Sequence, residues 1–208
     1  MSELIKVMIV DDHDSIRKSL EKEFTPENGF EVVSSLSSAA YAEGMCERMR
    51  PDVVITDVCT EAGASGLEAA ESILKRYPHI KVIVTSGFDE ITYAPRAKEM
   101  GAHAFVYKSR SLEYYHEVTR RVLAGEYVFP ESKTIPVPQG EAPFTDREME
   151  ILNLLCRHRK PSEIAAELYI AEKTVRWHIQ NMLGKAGFTS VTDLIVYIVS
   201  KGWINPNF

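Results

Sequence analysis

The chain has 208 residues, 45% of them hydrophobic and 26% charged, which suits a globular protein of one large or two small domains. Its formal charge of −6 is unevenly spread: residues 1–130 hold 15 Lys and Arg against 21 Asp and Glu, residues 141–208 hold 8 against 8, so no domain is basic and any nucleic-acid surface is a local patch in the second half. No secretory pattern opens the chain, no apolar stretch approaches the roughly 20 residues that span a bilayer, and Cys46, Cys59 and Cys156 suit neither a disulfide framework nor a zinc site; the expectation is a cytoplasmic protein with reduced thiols and no membrane association.

In chain order, the apolar run 7–10 reads as a strand that stops at Asp11 and Asp12. Ile16, Leu20 and Phe24 then form a helical stripe, and Val32 and Val33 centre a second strand. Met45, Cys46 and Met49 mark a helix, and run 53–56 is a strand ending at Asp57. Leu67, Ala70, Leu74 and Tyr77 mark another helix, and run 82–85 is a strand ending at Ser86. Run 104–107 ends at Lys108, and a helix over about 111–123 follows. Breakers at Pro26, Gly29, Pro51, Pro78, Gly101 and Gly125 separate these elements. The alternation predicts an α/β doubly wound domain, flavodoxin-like, with a parallel five-stranded sheet, over residues 1–125.

Residues 130–143 hold four prolines in fourteen positions and no periodic apolar face, so 126–142 is expected to be an extended, semi-rigid linker. From 143 to 208 the pattern is all helical. Thr145 and Glu148 have capping-box spacing and open a helix to about residue 158. A short helix near 162–168, a turn at 169–171 and a longer helix over 172–186, ended by Gly187, form a helix-turn-helix candidate. A last helix is expected over about 190–200.

If the four apolar runs are parallel strands, Asp11, Asp12, Asp57, Ser86 and Lys108 emerge together at the carboxyl edge of the sheet, where ligands of such sheets bind. Two adjacent carboxylates and a third opposite suit Mg²⁺, and a fixed ammonium and a hydroxyl can meet phosphoryl oxygens. Asp57, alone at its strand end, is the natural nucleophile. Taken singly, each Asp is better read as a cap and Lys108 as a solvated charge; five such residues at successive strand ends are not. An aspartate-based phosphatase would want a second carboxylate two residues after Asp57, where Cys59 stands.

The Asp11-Asp12 pair, Asp57, Ser86 followed by Gly87, Phe105 and Lys108 resemble the receiver domain of bacterial two-component response regulators, over about residues 4–125. The resemblance implies that Asp57 accepts a phosphoryl group from a sensor histidine kinase. It implies that Asp12, Asp57 and the backbone carbonyl of Cys59 hold Mg²⁺, with Asp11 acting through water. It also makes Ser86 and Phe105 the switch pair. Two departures stand out. The family's usual Met-Pro is missing after Asp57 and a glycine falls at the ninth place, Gly66, rather than the eighth, so the loop should be longer. Pro95 lies where the fourth helix runs, so that helix should start late or bend.

On the helix 172–186, Val175, Ile179, Met182, Leu183 and Ala186 share one arc and are expected in the core. Opposite them lie Lys173 and Trp177, flanked by Gln180 and Asn181, with Thr174 and Arg176 at the margins. Arg176, Trp177 and Gln180 suit base edges in a major groove, whereas Lys173, Thr174, Asn181 and Lys185 suit phosphates. Packing of Trp177 on another protein surface is the competing reading. The motifs 144–148, 163–165 and 172–179 resemble the LuxR-type helix-turn-helix of NarL/FixJ response regulators, over about 142–205. Trp177 and Val191 depart from residues common there. The last helix carries more apolar residues than one packed face uses, which predicts a homodimer through Val196 and Tyr197.

The leading expectation is a regulator, not an enzyme acting on other substrates, whose phosphorylation controls binding to promoter DNA. The alternatives are a phosphorylation-independent regulator governed by a ligand or partner protein, and a small phosphoester hydrolase.

Overall fold

The sheet is built from runs that can be buried on both faces: β1 (Ile5–Val10), β2 (Phe30–Leu36), β3 (Val53–Asp57), β4 (Lys81–Ser86) and β5 (Ala104–Tyr107). All neighbours are parallel, in the order β2-β1-β3-β4-β5, the doubly wound arrangement. The computed structural model describes residues 4–61, 64–87, 93–131 and 143–204. The connections are helices α1 (Asp14–Glu23), α2 (Ala42–Met49), α3 (Gly66–Arg76) and α4 (Tyr93–Glu99), with α5 (Leu112–Leu123) closing the domain.

Strand residues alternate between faces. Val7, Ile9, Val53, Ile55, Ile83, Ala104 and Val106 meet Leu20 and Phe24 of α1 and Tyr115, Val118 and Val122 of α5. Met8, Val10, Val54, Val82 and Val84 are as fully buried on the other side. Pro95 is the third residue of α4 as described. Whether that helix begins before Tyr93 lies outside the described residues.

The chain divides into two compact units, and the first reaches Glu131. Residues 126–131, expected in the linker, therefore belong with the sheet domain. The reason is a bridge between Val128 and Ala104 on the free edge of β5. The rest of the expected linker lies outside the described residues.

The second unit contains α6 (Asp146–Cys156), α7 (Pro161–Glu167), α8 (Glu172–Ala186) and α9 (Val191–Ser200). The capping box at the start of α6 forms on both sides: the Glu148 N–H donates to Thr145 Oγ1 and the Thr145 N–H to Glu148 Oε2. Gly187 ends α8 in the left-handed conformation, φ 72°. The core joins Ile151, Leu152, Ile164, Val175, Ile179, Met182, Leu194 and Ile198.

The apolar excess on α9 is smaller than the sequence suggests. Val191, Ile195, Tyr197 and Val199 all pack against the core, and Tyr197 lies between the rings of Phe188 and Trp203. Val196 alone of this set is open to solvent, at 60%.

Candidate functional site

Register decides which side chains meet. Val10 of β1 pairs with Thr56 of β3, so Asp11 and Asp57 leave neighbouring strands at the same level. Ser86 of β4 pairs with Tyr107 of β5, and Lys108 follows it over the same edge. Lys108 Nζ lies 2.7 Å from Asp11 Oδ2 and 2.8 Å from Asp57 Oδ2, bridging two buried carboxylates. Asp12 is more exposed and meets His13 Nδ1 at 2.7 Å. One ligand atom each from Asp11, Asp12, His13 and Asp57 lies within 4.8 Å of the others. A single cation can therefore be shared by Asp12 and Asp57.

The site is short of positive charge. Burial, above all, pushes Asp57 up to about 6, against the nearby charge and hydrogen bond of Lys108, while Asp11 and Asp12 push the same way as burial. Burial also works against the Lys108 ammonium, but Asp57 and Asp11 outweigh it and hold the lysine above its ordinary value. One ammonium, held by two of the three carboxylates, leaves room for a hard divalent cation, and the three carboxylates, of which only Asp12 is exposed, fit Mg²⁺, which keeps several waters.

Ser86 and Phe105 are both buried, the phenyl ring edge-on to Tyr107 at 5.2 Å. The segment after Asp57 folds back on itself: Cys59 bridges Ser65, and the Thr60 N–H donates to Ala64 O at 3.0 Å. It is also tied sideways, with the Ala39 N–H donating to Thr60 Oγ1 and Ser37 Oγ to Glu61 Oε2. The Cys59 thiol, half-buried and 4.0 Å from the Tyr93 hydroxyl, is pushed up to about 11, mainly by burial.

On α8 the expected arc is buried, and Lys173, Arg176, Trp177 and Gln180 are exposed, Trp177 at 60%. Thr174 and Asn181 are partly exposed. Arg176 is held by Glu172, with Nη2 2.6 Å from Oε1. Lys185 differs from the surface role its pattern suggested. Its ammonium is 2.6 Å from the buried carboxylate of Glu148, so much of its charge is spent inside the domain. His178 sits edge-on to Trp177. Tyr169, expected only as part of the turn between α7 and α8, is 96% exposed at φ 52°.

The family model of the response regulator receiver domain matches residues 7–120, and that of the luxR family of bacterial regulatory proteins matches residues 142–198. The chain belongs to the NarL/FixJ family of response regulators. Its relatives include the response regulator GacA of Pseudomonas aeruginosa, 29% identical over 97% of this chain and 99% of the relative. The response regulator VraR of Staphylococcus aureus is 30% identical over 93% and 95%. Among solved structures, RcsB of Salmonella typhimurium covers 96% of this chain and 100% of its own, with a TM-score of 0.62 at 19% identity, a likeness of fold. An RcsB–DNA complex gives a TM-score of 0.64 at 19% identity, over 95% of this chain and 98% of that one. The protein is a response regulator and a DNA-binding transcription factor.

Within that family frame, the glycine at the ninth place has a plain cause. A Cβ at Gly66 would stand 1.7 Å from the Asp57 carbonyl oxygen, while the Gly66 N–H donates to Val58 O at 2.8 Å. A side chain at this position would push the start of α3 away from the end of β3. His13 was missed because its place beside the carboxylates depends on the turn into α1, which no sequence period reveals.

Proposed function

We propose that Asp57 is the phospho-acceptor of this regulator, that a sensor histidine kinase supplies the phosphoryl group, and that the modification controls binding to promoter DNA. The observation that carries this is the Lys108 ammonium gripping both Asp11 and Asp57, beside donor atoms clustered within 4.8 Å. An Asp57 carboxylate oxygen bonds to phosphorus as the P–N bond of the donor phosphohistidine breaks, and the imidazole leaves. Asp12, Asp57 and the Cys59 carbonyl, with Asp11 through water, would hold a Mg²⁺ that offsets charge on the transferring group. Lys108 keeps its charge throughout and meets a phosphoryl oxygen, and the Ser86 hydroxyl turns toward another.

A hydrolase is disfavoured by Cys59: a thiol held near 11 stands where a second carboxylate would act as general acid or base. By this reading residues 143–208 are the DNA-binding domain. Arg176, Trp177 and Gln180 meet base edges; Lys173, Thr174 and Asn181 meet phosphates, and Lys185 does so secondarily. The active form is a homodimer, and promoter DNA puts the protein in the cytoplasm. Incubation with a small phosphodonor and Mg²⁺ tests the reading. A stable acyl phosphate on the wild type, absent from Asp57→Asn, is expected. No acyl phosphate at all would favour control by a ligand or partner, and continuous turnover a hydrolase.

A further inference from the structure

The edge strand of an open sheet exposes unpaired N–H and C=O groups. In this receiver domain β2 and β5 are the two edges, and the free edge of β5 is covered by the chain just after α5. The Val128 N–H donates to His103 O and the Phe105 N–H donates to Val128 O, both at 2.9 Å, a parallel bridge outside the main sheet. Val128 is buried. On one side of it the Tyr127 ring stacks on His103, centroids 5.5 Å apart and planes within 7°. On the other, the Phe129 ring lies under the Lys98 ammonium of α4 at 5.9 Å. Three consecutive residues at the head of the linker thus grip β5 and α4, a fastening that a simple spacer does not need.

The far end of β5 belongs to the phosphorylation site. The Lys108 N–H donates to Ser86 O at 2.8 Å, and the Lys108 ammonium bridges Asp11 and Asp57. From Lys108 back to Phe105 is three residues, about 10 Å of extended backbone. The strand itself has four residues, too few to absorb a displacement along its length. Phe105, moreover, is the aromatic at the switch position, and it is its own amide that carries one of the two clamp bonds.

We propose that residues 127–129 are a clamp holding the outgoing chain on the switch strand, and that phosphorylation of Asp57 opens it. The proposal rests on the phosphorylation reading above and adds where that signal leaves the receiver. As Ser86 and Lys108 move toward the phosphoryl group, the amide of Phe105 and the carbonyl of His103 leave their partner on Val128. Residues 126–131 then join the linker and lengthen its reach by about 20 Å, enough to let two DNA-binding domains find paired half-sites.

Amide hydrogen exchange on the full-length chain tests this, comparing Mg²⁺ alone with Mg²⁺ plus beryllofluoride as a stand-in for the phosphoryl group. The Phe105 and Val128 amides should exchange at least tenfold faster with beryllofluoride, while Ile55 and Val84, inside the sheet, stay unchanged. Val128→Pro removes one clamp bond, so its DNA affinity without beryllofluoride should match that of the loaded wild type and change less than twofold on loading. If that variant does not fold, Lys98→Ala, at an exposed position, should by itself speed exchange at Val128. Full protection of Phe105 and Val128 while bound beryllofluoride raises DNA affinity would overturn the clamp and leave the phosphorylation reading intact. No bound beryllofluoride by fluorine NMR would overturn that reading, and the clamp with it.

Discussion

Asp57 shows what gathering acids at one sheet edge costs the fold. Its carboxyl is pushed up to about 6, chiefly by burial, from an ordinary value of 3.8. A folded-state value above the unfolded one means a contribution to stability that is complete below about 4 and is lost as pH rises through 6. The loss is at most about 3 kcal/mol, since each tenfold change in the proton affinity of the carboxylate is worth about 1.4 kcal/mol. In chelator-containing buffer at pH 8, Asp57→Asn should therefore be more stable than the wild type to urea, and the gap should shrink toward pH 4. A variant less stable at pH 8 would mean that the Lys108 contact outweighs burial. Asp11, Asp57 and Lys108 were legible in the sequence because each directly follows an apolar run, and parallel strands bring such ends together. The closeness of Gly66 to the Asp57 carbonyl and the hold of Glu148 on Lys185 were not, because both depend on how helices approach their neighbours.

Helices and strands carry the next level of consequence, and α8 shows it best. Its buried arc was legible from a 3.6-residue period, but the period says nothing about partners that come from other helices. Lys185 is one such case. Lys185→Ala should leave the buried Glu148 carboxylate without its counter-charge and lower the stability of the second domain, read as an earlier melting transition. Arg176→Ala and Gln180→Ala should instead leave melting unchanged and reduce discrimination between operator and random DNA by about 1–3 kcal/mol each, whereas Lys173→Ala should weaken both alike. A Lys185→Ala protein of normal stability and poor DNA binding would return that lysine to the phosphate set. The five strands were legible because burial on both faces leaves unbroken apolar runs. The bridge at Val128 was not, since a single paired residue has no period. The reach of α9 was overread for a related reason: Phe188 and Trp203 close over its flank from outside the helix.

At the scale of the whole molecule, charge sets a condition on how phosphorylation can help DNA binding. The chain is already at −6, and a phosphoryl group adds about −1.5 to −2 more, so activation must work against the overall field. Pairing two copies satisfies that condition, because it doubles the number of local cationic contacts. Each copy offers Lys173 and Arg176 on the exposed face of α8, the second already shared with Glu172. With a slope of about −0.9 per neutralised phosphate, the one cationic phosphate contact at Lys173 predicts that a single copy loses about threefold in affinity between 50 and 200 mM salt, and a pair about tenfold. Titrating operator DNA over that range, with and without beryllofluoride, separates the routes. A slope that roughly doubles on loading is the expected result. Higher affinity at an unchanged slope would mean that the signal frees a single DNA-binding domain and that dimerisation plays no part.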